Sequence, residues 1–235
     1  MNINKKILVS DYDQTFYLND DDIEKNKIAI SEFREKGNIF VIATGRSFLD
    51  FKNKLDIYKF DYDYVIINHG STILDKDDNI IYNFSINNEI IDNLVKDLEI
   101  EKTIKLFCCS KLESRVNFNY NNLTKIHATY NDKETAMNIS EKLNKKYNEY
   151  VNAYFVTGNA VEIISKDTDK SYAIELLSND LEIEQSHVYT IGDGYSDIEM
   201  VRDYNGYCMK KSVNELKIIA KKEYESVSQL VKEII

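Results

Sequence analysis

Three short runs with no polar break, "ILV" at 7–9, "IFVIA" at 39–43 and "VII" at 65–67, are separated by segments of helical spacing. A strand that is apolar at every position must be covered on both faces, since period-two alternation would leave one face polar. Such strands alternating with helices specify a parallel sheet with helices on both sides. "DIEKNKIAISEFREKG" puts Ile23, Ile30 and Phe33 on one helical face and stops at Gly37. "SFLDFKNKLDIY" reads as a second amphipathic helix ahead of "YVIIN". After Lys170 the alternation returns, with helix "SYAIELLSNDL", strand "HVYTIG", helix "SDIEMVRDY", strand "GYCM" and two closing helices.

Between these stretches the pattern changes. "STILDKDDNIIYNF" reads as a hairpin turning at Asp77–Asn79. A helix over 87–99 follows, then strands "TIKLFCCS", "SRVNFNY" and "TKIHATY", and a helix over 133–147. A last hairpin pairs "VNAYFVT" with "AVEIIS" across Gly158-Asn159. Consecutive strands joined by tight turns imply an antiparallel sheet carrying helices on one side. An α/β domain is therefore expected to be interrupted by an α+β insert large enough to be a domain itself.

Composition narrows the function. A formal net charge of −10 argues against a nucleic-acid or anionic-membrane partner, since both require basic surface. The seventeen tyrosines are scattered and form no base-stacking platform. Cys108, Cys109 and Cys208 are odd in number, two are adjacent, and none has a zinc spacing. They read as reduced thiols of a cytoplasmic protein, with Cys108 and Cys109 filling a core. "MNINKKILVSDYD" is too briefly apolar for a leader or a membrane span.

Four clusters fall where strands of the parallel sheet end or the next helix starts, the edge at which open α/β sheets bind ligands. They are Asp11 and Asp13 with Thr15; Thr44-Gly45-Arg46; Lys170; and "GDGYSD", with Asp193 and Asp197. Asp11 and Asp13, two apart on extended backbone, are expected to face one small volume and so to repel. Such crowding calls for a cation. Phosphate-ester hydrolysis needs this kind of set: an in-line nucleophile, a proton donor for the leaving oxygen, and positive charge on the phosphoryl oxygens.

With "DYDQT", "VIATGRS", "SKDTDKSYAIELL" and "IGDGYSDIEM" in this order, and "YVIINHGSTILD" after the third strand, the chain resembles the haloacid dehalogenase-like phosphohydrolases. The similarity is greatest to the Cof-type branch, subclass IIB, whose cap is inserted between the second and third motifs. It implies a Rossmann-like, doubly wound core from 1–83 and 163–235 and a specificity-setting cap from 84–162. By the same resemblance Asp11 is the nucleophile, forming an aspartyl-phosphate, and Asp13 is the acid and then the base. Thr44, Gly45, Arg46 and Lys170 bind the phosphoryl group. Mg²⁺ is held by Asp11, the backbone carbonyl of Asp13 and Asp193, with Asp197 orienting the site from its edge. The activity implied is hydrolysis of small phosphate esters, sugar phosphates included; a phosphomutase and a non-catalytic phospho-metabolite sensor are the alternatives.

The resemblance is not uniform. Gln14 stands where glycine is common, Phe16 where leucine is frequent, and Ser196 where asparagine is common. "CMKKS" brings Lys210 and Lys211 to the rim, where solvation is the expectation. His69 reads as a structural imidazole near the site, and His127 and His187 as packing within strands. Arg115, the only arginine of the insert, is a candidate for a second anionic group of the substrate.

Overall fold

The computed structural model describes residues 5–156 and 158–235. The reading of Met1–Asn4, and the last residue of the expected 151–157 strand, Thr157, lie outside them. The chain begins with β1 (Ile7–Ser10), α1 (Asp20–Glu35), β2 (Ile39–Ala43), α2 (Phe48–Tyr58) and β3 (Tyr64–Ile67). The hairpin β4 (Thr72–Asp75) and β5 (Ile80–Asn83) follows. The intervening segment contains α3 (Ile91–Asp97), β6 (Thr103–Ser110), β7 (Glu113–Val116), β8 (Lys125–Tyr130), α4 (Lys133–Lys146), β9 (Val151–Val156) and β10 (Ala160–Ser165). The chain returns through α5 (Lys170–Asp180), β11 (Val188–Gly192), α6 (Ile198–Asp203), β12 (Asn205–Met209), α7 (Asn214–Ile219), β13 (Glu223–Tyr224) and α8 (Val227–Ile234).

Two sheets result. The first has eight strands in the order β13-β12-β11-β1-β2-β3-β4-β5. It is parallel from β13 to β3, and the β4–β5 hairpin adds an antiparallel edge. Alternation sorts its central strands between two apolar layers. Leu8, Phe40, Ile42 and Val65 pack with Phe33 of α1, Phe51 of α2 and Leu230 of α8. Ile7, Val9, Val41 and Ile66 pack with Ile174 and Leu177 of α5, Met200 of α6 and Leu216 of α7. The continuous apolar runs exist because both faces are filled. From β1 the chain builds β2 and β3 on one side, and only later lays β11 on the other. That reversal makes a crevice at the carboxyl ends of β1 and β11.

The second sheet is antiparallel, in the order β7-β6-β8-β10-β9. Its apolar face, with Ile126, Ala128, Tyr130, Val161 and Ile163, packs against Leu94 of α3 and Ile139 and Leu143 of α4. Alternation therefore sends Lys125, His127 and Glu162 to the opposite face.

Several elements differ from the sequence expectation. The helix expected over 87–99 is a 3₁₀ turn, Asn88–Ile90, followed by the shorter α3, because the Asn87 side chain accepts from the Glu89 amide and tightens the start. β7 stops at Val116, where Asn117 accepts from both the Asn119 and Tyr120 amides and turns the chain. His187 ends a 3₁₀ turn ahead of β11 and is not in a strand. The two-residue strand β13 was too short to leave a periodic signal.

Candidate active site

β1 delivers Asp11 to the crevice. The Asp11 amide donates to the Ile191 carbonyl of β11 at 2.9 Å, which ties the two strand ends together. The strand stops at Ser10, and the chain then coils, with the Phe16 amide on the Asp11 carbonyl and the Tyr17 amide on that of Tyr12. Gln14 takes φ 61°, a left-handed conformation that explains why glycine suits this position. The extended-backbone argument for Asp11 and Asp13 therefore fails. Instead the Asp13 carboxylate takes two hydrogen bonds from Arg46, 2.7 Å from Nε and 2.6 Å from Nη2.

Lys170 is the first residue of α5, capped by Asp169, whose side chain accepts from the Tyr172 amide at 2.8 Å. Its buried ammonium donates to Asp11 Oδ1 at 2.7 Å and to Asp197 Oδ1 at 2.6 Å. Burial alone would lower its proton affinity, but Asp11 and Asp197 outweigh that and raise it. The other oxygen of Asp197 accepts from the amides of Asp193 and Gly194, both at 2.9 Å, which shapes the turn after β11. Gly192 permits this, since a Cβ there would lie 2.5 Å from the Asp197 carboxylate. Asp193 Oδ1 accepts from the Thr15 hydroxyl at 3.0 Å.

Asp11, Asp193 and Asp197 each offer a carboxylate oxygen within 4.8 Å of the others. Burial, with Asp197, Asp193 and Asp13 adding to it, lifts the Asp11 carboxyl well above the usual range despite Lys170. Burial and Asp197 likewise lift Asp193, to about 6. One ammonium does not neutralise three crowded carboxylates, so the donor set suits a hard divalent cation. Asp197 spends both oxygens on protein donors, whereas Oδ2 of Asp11 and of Asp193 takes no hydrogen bond among the described residues.

The loop after β2 adjoins these residues, tied to the β1 loop by the Arg46–Asp13 pair. Thr44 is buried, and its hydroxyl oxygen accepts from the Arg46 amide at 3.1 Å. The loop is stitched to the β3 end by the His69 amide on the Thr44 carbonyl and the Asn68 amide on that of Arg46. Both Asn68 and His69 are left-handed, at φ 50° and 57°. His69 Nε2 bonds Glu162 of β10, in keeping with a structural imidazole. Burial lowers its proton affinity.

Thus Asp11, Asp193, Asp197 and Lys170 are brought together, Thr44 and Gly45 lie on the adjoining loop, and Asp13 and Arg46 pair with each other. Elsewhere, Lys210 pairs with Glu225 at 2.5 Å on the surface, and exposed Arg115 lies 3.6 Å from Asp50. Cys108, Cys109 and Cys208 are free and buried. His127 does more than pack: its Nδ1 lies 2.8 Å from Glu162 and its Nε2 2.9 Å from Thr129. Lys125 and Glu162 were missed as site-bordering residues. The signal available was a glutamate inside "AVEII", where a charge needs a buried partner.

The open α/β sheet places its ligand site at the topological switch point, and acidic groups flank that crevice from β1 and β11. The haloacid dehalogenase-like hydrolase family model matches residues 8–120 and 105–230, and the chain belongs to that family. A protein of Buchnera aphidicola subsp. Baizongia pistaciae named "Putative phosphatase" is 24% identical over 265 residues, covering 97% of each chain. A Haemophilus influenzae protein of the same name is 22% identical, over 99% of this chain and 97% of its own. The structure of a haloacid dehalogenase-like hydrolase from B. subtilis superposes with a TM-score of 0.86 at 17% identity, covering 98% of this chain and 100% of that one. Among the described residues no helix is long and apolar enough to cross a membrane.

Proposed function

We propose that the protein is a Mg²⁺-dependent phosphatase of small phosphorylated metabolites, sugar phosphates among them. The reading assigns 1–83 and 163–235 to a catalytic core and 84–162 to a cap over it. The observation that carries it is the Lys170 ammonium held between Asp11 and Asp197, with Asp193 beside them, at the switch point of the sheet. The names of the Buchnera and Haemophilus relatives point the same way.

An Asp11 oxygen attacks phosphorus, and the bond from phosphorus to the leaving oxygen breaks as Asp13 gives that oxygen a proton. Asp13 then takes a proton from water, whose oxygen displaces Asp11 and frees inorganic phosphate. Asp13 must first leave Arg46 and take up a proton from solvent, and the phosphoryl oxygens offer Arg46 an equivalent two-point partner. Thr44 and Lys170 donate to the remaining oxygens, and Gly45 lets the backbone approach. Asp11, Asp193 and the Asp13 carbonyl would hold the cation, with Asp197 steadying the turn. When bound, the cation favours ionised Asp11 and offsets phosphoryl charge.

The test is release of inorganic phosphate from p-nitrophenyl phosphate and a sugar-phosphate panel, with Mg²⁺ and with chelator. Turnover should require Mg²⁺ and fall at least about a hundredfold in Asp11→Asn. Phosphate moved between sugar positions without release would indicate a phosphomutase. Tight binding without turnover would indicate a sensor.

A further inference from the structure

Against the Thr44–Arg46 loop, a cluster of charged and imidazole groups joins the two sheets. Lys125 of β8 is only 2% exposed. It donates to Glu162 Oε1 at 2.9 Å and to the backbone carbonyl of Gly45. Glu162 Oε1 also meets His127 at 2.8 Å, and its Oε2 meets His69 Nε2. Burial would raise the Glu162 carboxyl, but Lys125, His69 and His127 outweigh it and hold it well below the usual range. The Tyr154 ring of β9 covers the His69 ring at 5.3 Å.

Burying an ion pair to glue two units together is inefficient, because apolar residues of similar volume do it as well or better. The placement suggests another purpose. The three carbonyls of Thr44-Gly45-Arg46 all have partners: the His69 amide, the Lys125 ammonium and the Asn68 amide. Only Lys125 comes from the second sheet. A Cβ on Gly45 would fall on the His69 ring and 3.1 Å from Glu162 Oε2, so the pair sits flush against this loop.

We propose that Lys125, oriented by Glu162 and His69, is a positioning residue: it grips the Gly45 carbonyl and so holds Thr44 and Gly45 in register with the phosphoryl group when the second sheet is docked. The kinetic consequence rests on the phosphatase reading; the grip itself does not. Docking of the insert and assembly of the phosphoryl site become one event, because one of the loop's three carbonyl anchors is carried by the insert.

Two readouts test it in the full chain. Lys125→Met keeps the length of the side chain and removes its charge. Backbone amide exchange in peptides covering 43–47 and 67–70 should accelerate at least about tenfold, while the β1 peptide is unchanged. With saturating Mg²⁺, kcat should fall about 10- to 100-fold and KM should stay within about threefold. The factor should be the same for p-nitrophenyl phosphate and bulkier esters, since the grip acts on the phosphoryl side. In Lys125→Ala, methylammonium should restore part of kcat. Unchanged exchange at 43–47, unchanged kcat, or a loss that depends on the leaving group would overturn the proposal. If Lys125→Met does not fold, Lys125→Met/Glu162→Gln, which leaves no buried unpaired charge, takes its place; failure of that variant to fold would make the pair structural and also overturn it. A wild-type protein without turnover would remove the phosphatase reading, while the exchange result would still decide the grip.

Discussion

Burial and the neighbouring Asp197 lift the Asp193 carboxyl to about 6 from an ordinary 3.8. A group raised on folding contributes stability below its unfolded value and loses it as pH rises through the folded one. In chelator, the Asp193 contribution is thus present near pH 4 and gone above about pH 6. Asp193→Asn keeps the acceptor for Thr15 and abolishes this titration. The variant should therefore gain on the wild type by roughly 2 kcal/mol between pH 4 and 7; urea melts at both pH values would show it, and a constant difference would refute it. A second residue-scale consequence lies at Gln14, held at φ 61°. Gln14→Gly should raise stability by about 0.5–1 kcal/mol, because relief of the left-handed conformation exceeds the added unfolded-state entropy. At this scale the sequence singled out three carboxylates that the fold gathers, Asp11, Asp193 and Asp197, but not the partner of Asp13. It carried extended backbone on through Asp11 and Asp13 at the mouth of the strand, whereas the chain coils after Ser10 and Arg46 captures the Asp13 side chain. No local pattern announces a partner thirty-three positions away.

Elements with full periodicity were legible. β2, with five buried residues, and α1, with its Asn19 cap and three acidic residues in the first turn, follow from local rules. Short pieces held by single side-chain bonds, such as the turn at Asn88–Ile90, were not. The element that most directly sets the site is α5, whose first residue is Lys170. Its cap is the Asp169 carboxylate on the Tyr172 amide. Asp169→Ala should cost about 1 kcal/mol of stability and lower turnover, since a frayed first turn lets the ammonium drift from Asp11. Asp169→Asn, which caps equally well, should preserve both. Denaturant midpoints and phosphate release on the two variants separate capping from charge: equal losses in both would assign the effect to the carboxylate's charge instead.

At the scale of the molecule, alternation told which face of each sheet is apolar, but not that the polar face of the second sheet would reach the first through Lys125 and Glu162. Long-range contacts of that kind depend on docking, which periodicity does not encode. The acidic cluster belongs to the eight-stranded sheet alone, and this bears on unfolding. A cation that binds only the folded state stabilises it by about 2.7 kcal/mol at a hundred times its dissociation constant. For a chain of this length that is a rise in Tm of about 5–11 °C. Mg²⁺ should produce the rise at pH 7.5, and Asp193→Asn should diminish it. Lys125→Met, which leaves the three carboxylates intact, should retain it. The shape of the melt then reports on the grip. If Lys125 and Glu162 couple the two sheets, wild-type calorimetry should show one transition that Mg²⁺ moves as a whole. In Lys125→Met the transition should split, with only the part belonging to the eight-stranded sheet following Mg²⁺. Two separate transitions already in the wild type would show that the sheets unfold independently and that the buried pair does not link them.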